Sequence, residues 1–160
     1  MPVGSPIALG VDLHHVRKRD YEMLFDLRDY ETTTVHVSAY LDAGGMFDLE
    51  VNAGRYLAQD WGATTRISRQ FANGWEVGGY ATLTDIPFNQ FGEGSFDKGI
   101  YVMIPMDWLT GEPEQSKRYF EIRPITRDGG ARLGSARKLY RQVKSTRDTQ
   151  MKREAGRIWK

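Results

Sequence analysis

Apolar and polar residues alternate with a period of two along most of this chain, the pattern of strands whose two faces meet different surroundings. In PIALGVDLHHV, Ile7, Leu9, Val11 and Leu13 oppose Ala8, Gly10, Asp12 and His14. In TTTVHVSAYLD, Val35, Val37, Ala39 and Leu41 oppose Thr34, His36, Ser38 and Tyr40. FDLEVNAGRYL sets Phe47, Leu49, Val51 and Ala53 against Asp48, Glu50, Asn52 and Gly54. GATTRISRQF sets Ala63, Thr65, Ile67 and Phe71 against Arg66, Ser68 and Gln70, with Arg69 breaking the apolar side. After the tight-turn signal Ala72-Asn73-Gly74, WEVGGYATLTDI places Trp75, Val77, Ala81 and Leu83 opposite Glu76, Gly78, Tyr80 and Thr82. GIYVMIPMDWL follows with Ile100, Val102, Ile104 and Met106 on one side, and Pro105 demotes its end to an edge or bulge. RYFEIRPIT is a seventh run, and ARLGSARKLY an eighth, strand or irregular.

The connections alternate in length along the chain: long over 17–31, short over 42–46, medium over 57–61, tight over 72–74, long over 87–98, medium over 109–117, then the turn TRDGG. Long loops on one side and short turns on the other is the layout of an outer-membrane barrel. A soluble antiparallel sandwich also alternates apolar and polar residues, so the pattern alone fits both. The tail from Arg137 loses the two-residue period. Leu139 and Val143 lie four apart, as do Met151, Ala155 and Trp159, which reads as a basic amphipathic helix. It is either a solvated or frayed end, or a segment that adheres to an anionic surface.

Composition narrows the class. The chain has 160 residues, enough to bury a core in one domain. Hydrophobic residues are 40%, aromatics 12% and glycines 17, a profile of many turns and not of disorder. Without cysteine there is no disulfide framework or thiolate metal site. Apolar runs of only a few residues exclude a transmembrane helix, and the N-terminus lacks the basic start and apolar core of a secretory signal. From Arg137 onward nine Lys/Arg face two acids, a net +7, whereas the first 136 residues carry thirteen against nineteen, a net −6.

Candidate chemistry is sparse. Asp12 and His14 share one strand face, and His36 and Ser38 share another; paired in register, they supply the residue set for acyl-group hydrolysis. No nucleophile-elbow motif accompanies them. His14 and His15 face opposite ways and cannot chelate together. Asp85, Glu93 and Asp97 lack calcium-loop spacing, and GEGSFDKG has neither the third glycine nor the following helix of a phosphate loop. Tyr21, Phe25, Tyr30, Trp61, Phe88, Phe91, Phe96, Trp108 and Tyr119 fall near strand ends or in loops, as girdles, sugar-stacking platforms or a loop minicore would require. No cofactor is expected.

Three blocks carry a family resemblance: AGRYLAQDWGATTRISRQFANG (53–74), GGYATLTDIPFNQFGEGSFDKGIYVMIP (78–105) and RPITRDGGARL (123–133). Together with LGVDLHHVRKRDYE (9–22), they resemble the C-terminal part of the YjbH/YmcA (GfcD) family, Gram-negative outer-membrane β-barrel proteins encoded with exopolysaccharide or capsule genes. The resemblance spans roughly residues 7 to 133. Family members are longer and begin with an export signal, so this chain is expected to be a fragment or to have a truncated start. The tail beyond about Arg137 matches nothing in the family, and Tyr140 is the better candidate for a terminal barrel aromatic.

The resemblance implies a non-catalytic accessory of exopolysaccharide or capsule production and export, located in the outer membrane. Its partners would be outer-membrane lipid, exopolysaccharide and other export proteins, with no nucleic acid. The expected fold is all-β: an antiparallel up-and-down meander of seven or eight strands, part or all of a transmembrane barrel over 1–136, with a basic helical or disordered tail over 137–160. Ile7, Leu9, Val11, Val35, Val37, Leu49, Val51, Ile67, Val77, Leu83, Ile100, Val102 and Ile104 would face lipid. Asp12, His14, His36, Ser38, Tyr40, Asp48, Glu50, Asn52, Arg66, Gln70, Glu76, Tyr80 and Thr82 would face the lumen. Phe88, Phe91, Glu93, Phe96, Asp97 and Lys98 form a candidate loop for glycan contact at the mouth, Asp97 and Lys98 placed to pair or to bond backbone. A soluble β-sandwich binding carbohydrate or a protein partner is the alternative, and a barrel hydrolase using Asp12, His14, His36 and Ser38 the third reading.

Overall fold

The computed structural model describes residues 5–19, 27–87, 96–111, 116–125, 129–134, 139–145 and 151. Seven strands follow in chain order: β1 (Ile7–Arg19), β2 (Leu27–Ala43), β3 (Phe47–Arg55), β4 (Trp61–Gln70), β5 (Glu76–Thr84), β6 (Asp97–Pro105) and β7 (Lys117–Ile122). Each pairs antiparallel with the next, giving one meandering sheet in the order β1-β2-β3-β4-β5-β6-β7. The sheet curls into a half-barrel. Two short helices follow strands in the chain, α1 (Met106–Thr110) after β6 and α2 (Leu139–Ser145) after β7.

Register fixes the two faces. Val11 pairs with Val37, Val37 with Ala53 and Ala53 with Ala63, so apolar positions align from strand to strand. Asp12 likewise pairs with His36, which pairs with Gly54. A one-residue slip would transfer every side chain to the other face, so the ladder preserves the alternation legible in the sequence.

The polarity of this sheet is inverted relative to a soluble protein. Leu9 is 75% exposed, Leu13 70% and Ile100 63%, all on the convex face. Thr32, Thr34, His36, Ser38, Asn52 and Thr82, on the concave face, are buried. A sandwich would cover its apolar face with a second sheet. The described residues contain one sheet whose convex apolar face is uncovered, so the sandwich expectation is corrected.

Charged and aromatic residues bracket the convex apolar band. At one rim, Arg17 and His15 approach Glu31 at 3.4 and 3.8 Å, Arg55 bonds Gln59 at 3.1 Å, and Trp61 is exposed. At the other, the Arg69 guanidinium lies 5.5 Å from the Phe47 ring and 5.0 Å from Phe71. Phe47 pairs with Arg69 and Arg55 with Trp61. The eight residue steps between these levels span about 27 Å along the strand, or about 20 Å of height at the ~40° tilt of membrane barrels.

Three boundaries differ from the sequence reading. The first connection is shorter than expected because β1 and β2 continue past the apolar band, paired by Val16 with Thr32 and Arg17 with Glu31. The long β2 has 17 residues and β3 has 9, so this hairpin projects beyond its neighbour. β6 stops at Pro105, whose missing N–H suits the start of α1. Of the eighth run, read as strand or irregular, residues 131–134 are irregular, and Leu139 and Tyr140 begin α2.

The curl requires close approach on the concave side. Gly54 and Gly62 are cross-strand partners; a Cβ on Gly54 would overlap the Val35 carbonyl oxygen and lie 2.8 Å from His36 Cα. Gly54→Ala is therefore expected to destabilise the fold by about 1–3 kcal/mol, through overpacking that only backbone movement relieves. Chemical unfolding followed by near-ultraviolet circular dichroism measures this; an unchanged midpoint would show that the concave side has room.

Candidate functional site

The concave face is the candidate site, and its lining follows from the ladder. One row crosses the sheet as Ala8, Tyr40, Glu50, Arg66, Tyr80 and Gly99. The next toward the long hairpin is Gly10, Ser38, Asn52, Thr64, Thr82 and Asp97, followed by Asp12, His36 and Gly54. Every residue expected to face a lumen lies on this face, including His14, Asp48, Gln70 and Glu76.

Hydroxyls and amides on this wall bond one another, as buried polar groups must. Asn52 donates to Ser38 Oγ at 2.5 Å. Tyr56 Oη and Thr64 Oγ1 are 2.7 Å apart, and Thr64 and Thr82 hydroxyls 2.9 Å. The fully buried Tyr56 ring meets His36 edge-on with centroids 4.8 Å apart. Tyr56 lies just beyond β3, where burial pushes its phenol above the ordinary value.

Arginine and tyrosine interleave on the β4–β6 side. The Arg66 guanidinium lies 5.2 Å from the Tyr80 ring centre and 4.8 Å from that of Tyr101. Each ring occupies space left by a glycine on the adjacent strand. A Cβ on Gly99 would come within 2.6 Å of Tyr80, and one on Gly78 within 2.5 Å of Tyr101. Tyr101 contacts Tyr119 at 5.5 Å between centroids, so Tyr119 belongs to this inward cluster and not to a rim girdle.

Two pieces of chain from beyond β7 lie against the β1–β3 wall. Ala131 accepts a backbone bond from Leu57 at 2.9 Å, and Gly130 N–H donates to Asp60 Oδ2 at 2.9 Å. Arg132 bonds Asp12 at 2.7 Å and approaches Glu50 at 3.9 Å. From α2, Tyr140 stacks on Tyr40 with centroids 4.0 Å apart and planes 12° from parallel. Lys144 pairs with Asp48, both mostly buried. Residues 139–145 of the basic tail, expected as a solvated end or a surface-adhesive helix, therefore dock on the wall, and Tyr140 lies in α2 and does not end a strand.

The hydrolase expectation needed Asp12, a histidine and Ser38 in relay. Register does set Asp12 opposite His36, yet Asp12 is taken by Arg132 and Ser38 by Asn52. Neither His36 ring nitrogen has a hydrogen-bond partner. Among the described residues, no group of three or more His, Asp or Glu could hold a metal ion. No helix among them is long and apolar enough to cross a membrane, which says nothing of strands.

Of the mouth loop, Phe88, Phe91 and Glu93 lie outside the described residues. Phe96 carries the Lys98 ammonium 4.3 Å from its ring centre, while Asp97 faces the concave side, 3.5 Å from Tyr80 Oη. Asp97 and Lys98 thus lie on opposite faces of β6, with the Lys98 backbone N–H bonded to the Asp97 carboxylate. Tyr21 and Phe25 lie outside the described residues, as does the Trp108 side chain. Sequence reasoning did not single out Tyr56, Asp60, Tyr101, Arg132 or Lys144. Strand period alone sets Tyr101 inward, but nothing local marks residues 129–145 as folding back.

These features define a class: an all-β sheet with apolar residues outward and a hydrogen-bonded polar lining inward. The sequence profile described as "Exopolysaccharide biosynthesis protein YbjH" (YjbH) matches residues 1–145, and the chain belongs to this family. The match extends past the expected limit near residue 133 and takes in α2. A curated relative, the "Uncharacterized lipoprotein YjbH" of Escherichia coli (strain K12), is 40% identical over 144 residues, covering 87% of this chain and 21% of the relative. The chain thus spans about a fifth of that relative's length. No solved structure matches it.

Arg132→Ala should lower stability by about 1 kcal/mol, the modest value reflecting partial solvent exposure of the Asp12 pair. Limited proteolysis should then cut the 129–145 region faster; unchanged cleavage would show that Arg132 does not hold it. For Tyr56, the phenol pKa is raised on folding, so its contribution is intact below about pH 10 and is lost as pH rises through the folded value. Tyr56→Phe should flatten the alkaline fall in unfolding midpoint; an unchanged alkaline limb would contradict this.

Proposed function

We propose that this chain is part of the wall of an outer-membrane β-barrel that serves exopolysaccharide production as a non-catalytic accessory. The observation that carries the reading is the inverted polarity of the curled sheet. A convex apolar band bounded by aromatic and charged rims suits hydrocarbon, and a concave polar lining suits an aqueous path. Membership of an exopolysaccharide biosynthesis family supports the substrate class, and the relative described as a lipoprotein supports a cell-envelope location.

The mechanism in this reading is passive. The inner strands β2 to β6 pair on both sides in the ladder, while β1 and β7 each leave one edge that the apolar layer would require to be paired by further wall. Polymer hydroxyls would exchange hydrogen bonds with a lining of similar groups. The Asn52–Ser38 and Arg132–Asp12 bonds support a structural role for the residues that a hydrolase would use.

The test is behaviour in detergent and lipid. The protein should require detergent, and its unboiled form should migrate differently on gels from its boiled form. Val37→Arg, in the middle of the convex band, should destabilise the inserted state by about 2–4 kcal/mol. Deletion of the gene should reduce released exopolysaccharide, and Ser38→Ala should restore it as well as the wild type does. Full solubility without detergent would sink the barrel reading. Loss of exopolysaccharide in a folded Ser38→Ala protein would favour the hydrolase instead.

A further inference from the structure

We propose that the concave wall around Asp12, Tyr40, Asp48 and Glu50 is a binding subsite for a cationic glycan, one carrying amino sugars with free ammonium groups. The two pieces 129–134 and 139–145 occupy that subsite as a built-in substitute. The inference rests on the barrel reading and adds a ligand class to it.

The contacts of the substitute describe what the wall recognises. It presents one flat ring, Tyr140, stacked parallel on Tyr40. It presents two cations, Arg132 on Asp12 and Glu50, and Lys144 on Asp48. Asp48 and Glu50 are two residues apart on one face of β3, about 7 Å. A pyranose ring offers the same kind of flat C–H face to a tyrosine, and an amino sugar adds an ammonium beside it.

Charge selects among glycans. Three carboxylates line the patch, and removing Arg132 and Lys144 without replacement would leave Asp12 and Asp48 without these cations. A neutral polymer leaves them so, and a uronic polymer adds repulsion. An ammonium-bearing polymer replaces Arg132 and Lys144 in kind.

A second, independent feature lies on the same concave rows. His36 is fully buried with both ring nitrogens unpartnered, and Asn52, also buried, has an unpartnered Oδ1. His36 pairs with Asp12 in the ladder, and Asn52 is two residues from Glu50. These are hydrogen-bonding groups that the substitute does not satisfy and that sugar hydroxyls or their bridging waters can.

A site that competes with its own chain binds weakly until the substitute is loosened, because apparent affinity scales with the open fraction. The experiment uses the full chain in detergent, titrated calorimetrically with a fully deacetylated glucosamine hexamer. The N-acetylated hexamer and an oligogalacturonate serve as comparison probes. Tyr140→Ala should tighten glucosamine-hexamer binding by about tenfold. Adding Asp48→Asn to that variant should reverse the gain, and salt should weaken binding. Where Tyr140→Ala loses the unboiled gel shift, Lys144→Gln keeps the stack and must show the same gain.

No binding of the glucosamine hexamer to a variant that retains the gel shift would overturn the inference and leave the barrel reading standing. Equal binding of the N-acetylated hexamer or the oligogalacturonate would overturn it as well. A wild-type chain without the gel shift would overturn both readings.

Discussion

The constraint on which the structure depends is the handedness of its alternation: every second residue on a strand turns its side chain to the inside of a curl. Polar residues occupy that inside. A curled sheet with a polar interior remains stable only if the interior groups bond one another, and they do so in short relays such as Tyr56–Thr64–Thr82 and Asn52–Ser38. The convex side of β3 and β4 then offers a single hydroxyl, that of Thr65, over the span between Trp61 and Phe47, and the exposed Lys98 on β6 shares its ladder row. Hydrocarbon is a surrounding that accepts such a face, and the proposed membrane reading rests on this polarity and not on any single residue.

Close approach is the second requirement, and glycine meets it. Gly54 and Gly62 let neighbouring strands crowd on the concave side, while Gly78 and Gly99 leave space for the rings of Tyr101 and Tyr80. Arg66 fills the position between those two rings, where aromatic faces replace part of its hydration. The wall on that side is therefore built of interlocked side chains, whereas the β1–β3 side is completed by chain from beyond β7.

Much of this was legible from period and charge. The facing of Ile7, Leu9 and Val11 against Asp12 and His36 needs nothing beyond alternation, and register made it consistent across the sheet. What escaped was non-local. The β1–β2 hairpin ran on because Arg17 and Glu31 pair across 14 residues of sequence, and weak polar alternation there looks like loop. Arg132 reaches Asp12 across 120 residues, a pairing that no local pattern announces. ARLGSARKLY reads as strand or irregular, whereas its Tyr140 lies in α2 and stacks on Tyr40, a partner 100 residues away. The opposed charges of body and tail, −6 and +7, meet where Lys144 pairs with Asp48, a contact that the reading of the tail as a solvated end or a surface-adhesive helix did not contain.

The central claim is that the convex face meets lipid while the concave face meets water. Because the chain has no cysteine, single cysteines can be placed without background along β2. Val35→Cys, Val37→Cys and Ala39→Cys carry the outward positions, and His36→Cys and Ser38→Cys the inward ones. Each is labelled with a spin probe in reconstituted vesicles, and its accessibility to oxygen, which partitions into lipid, is compared with that to a water-soluble relaxant. The account predicts a period of two, with oxygen contact high at the outward positions and low at the buried inward ones. Uniform accessibility along 35–39, or the opposite phase, would contradict it.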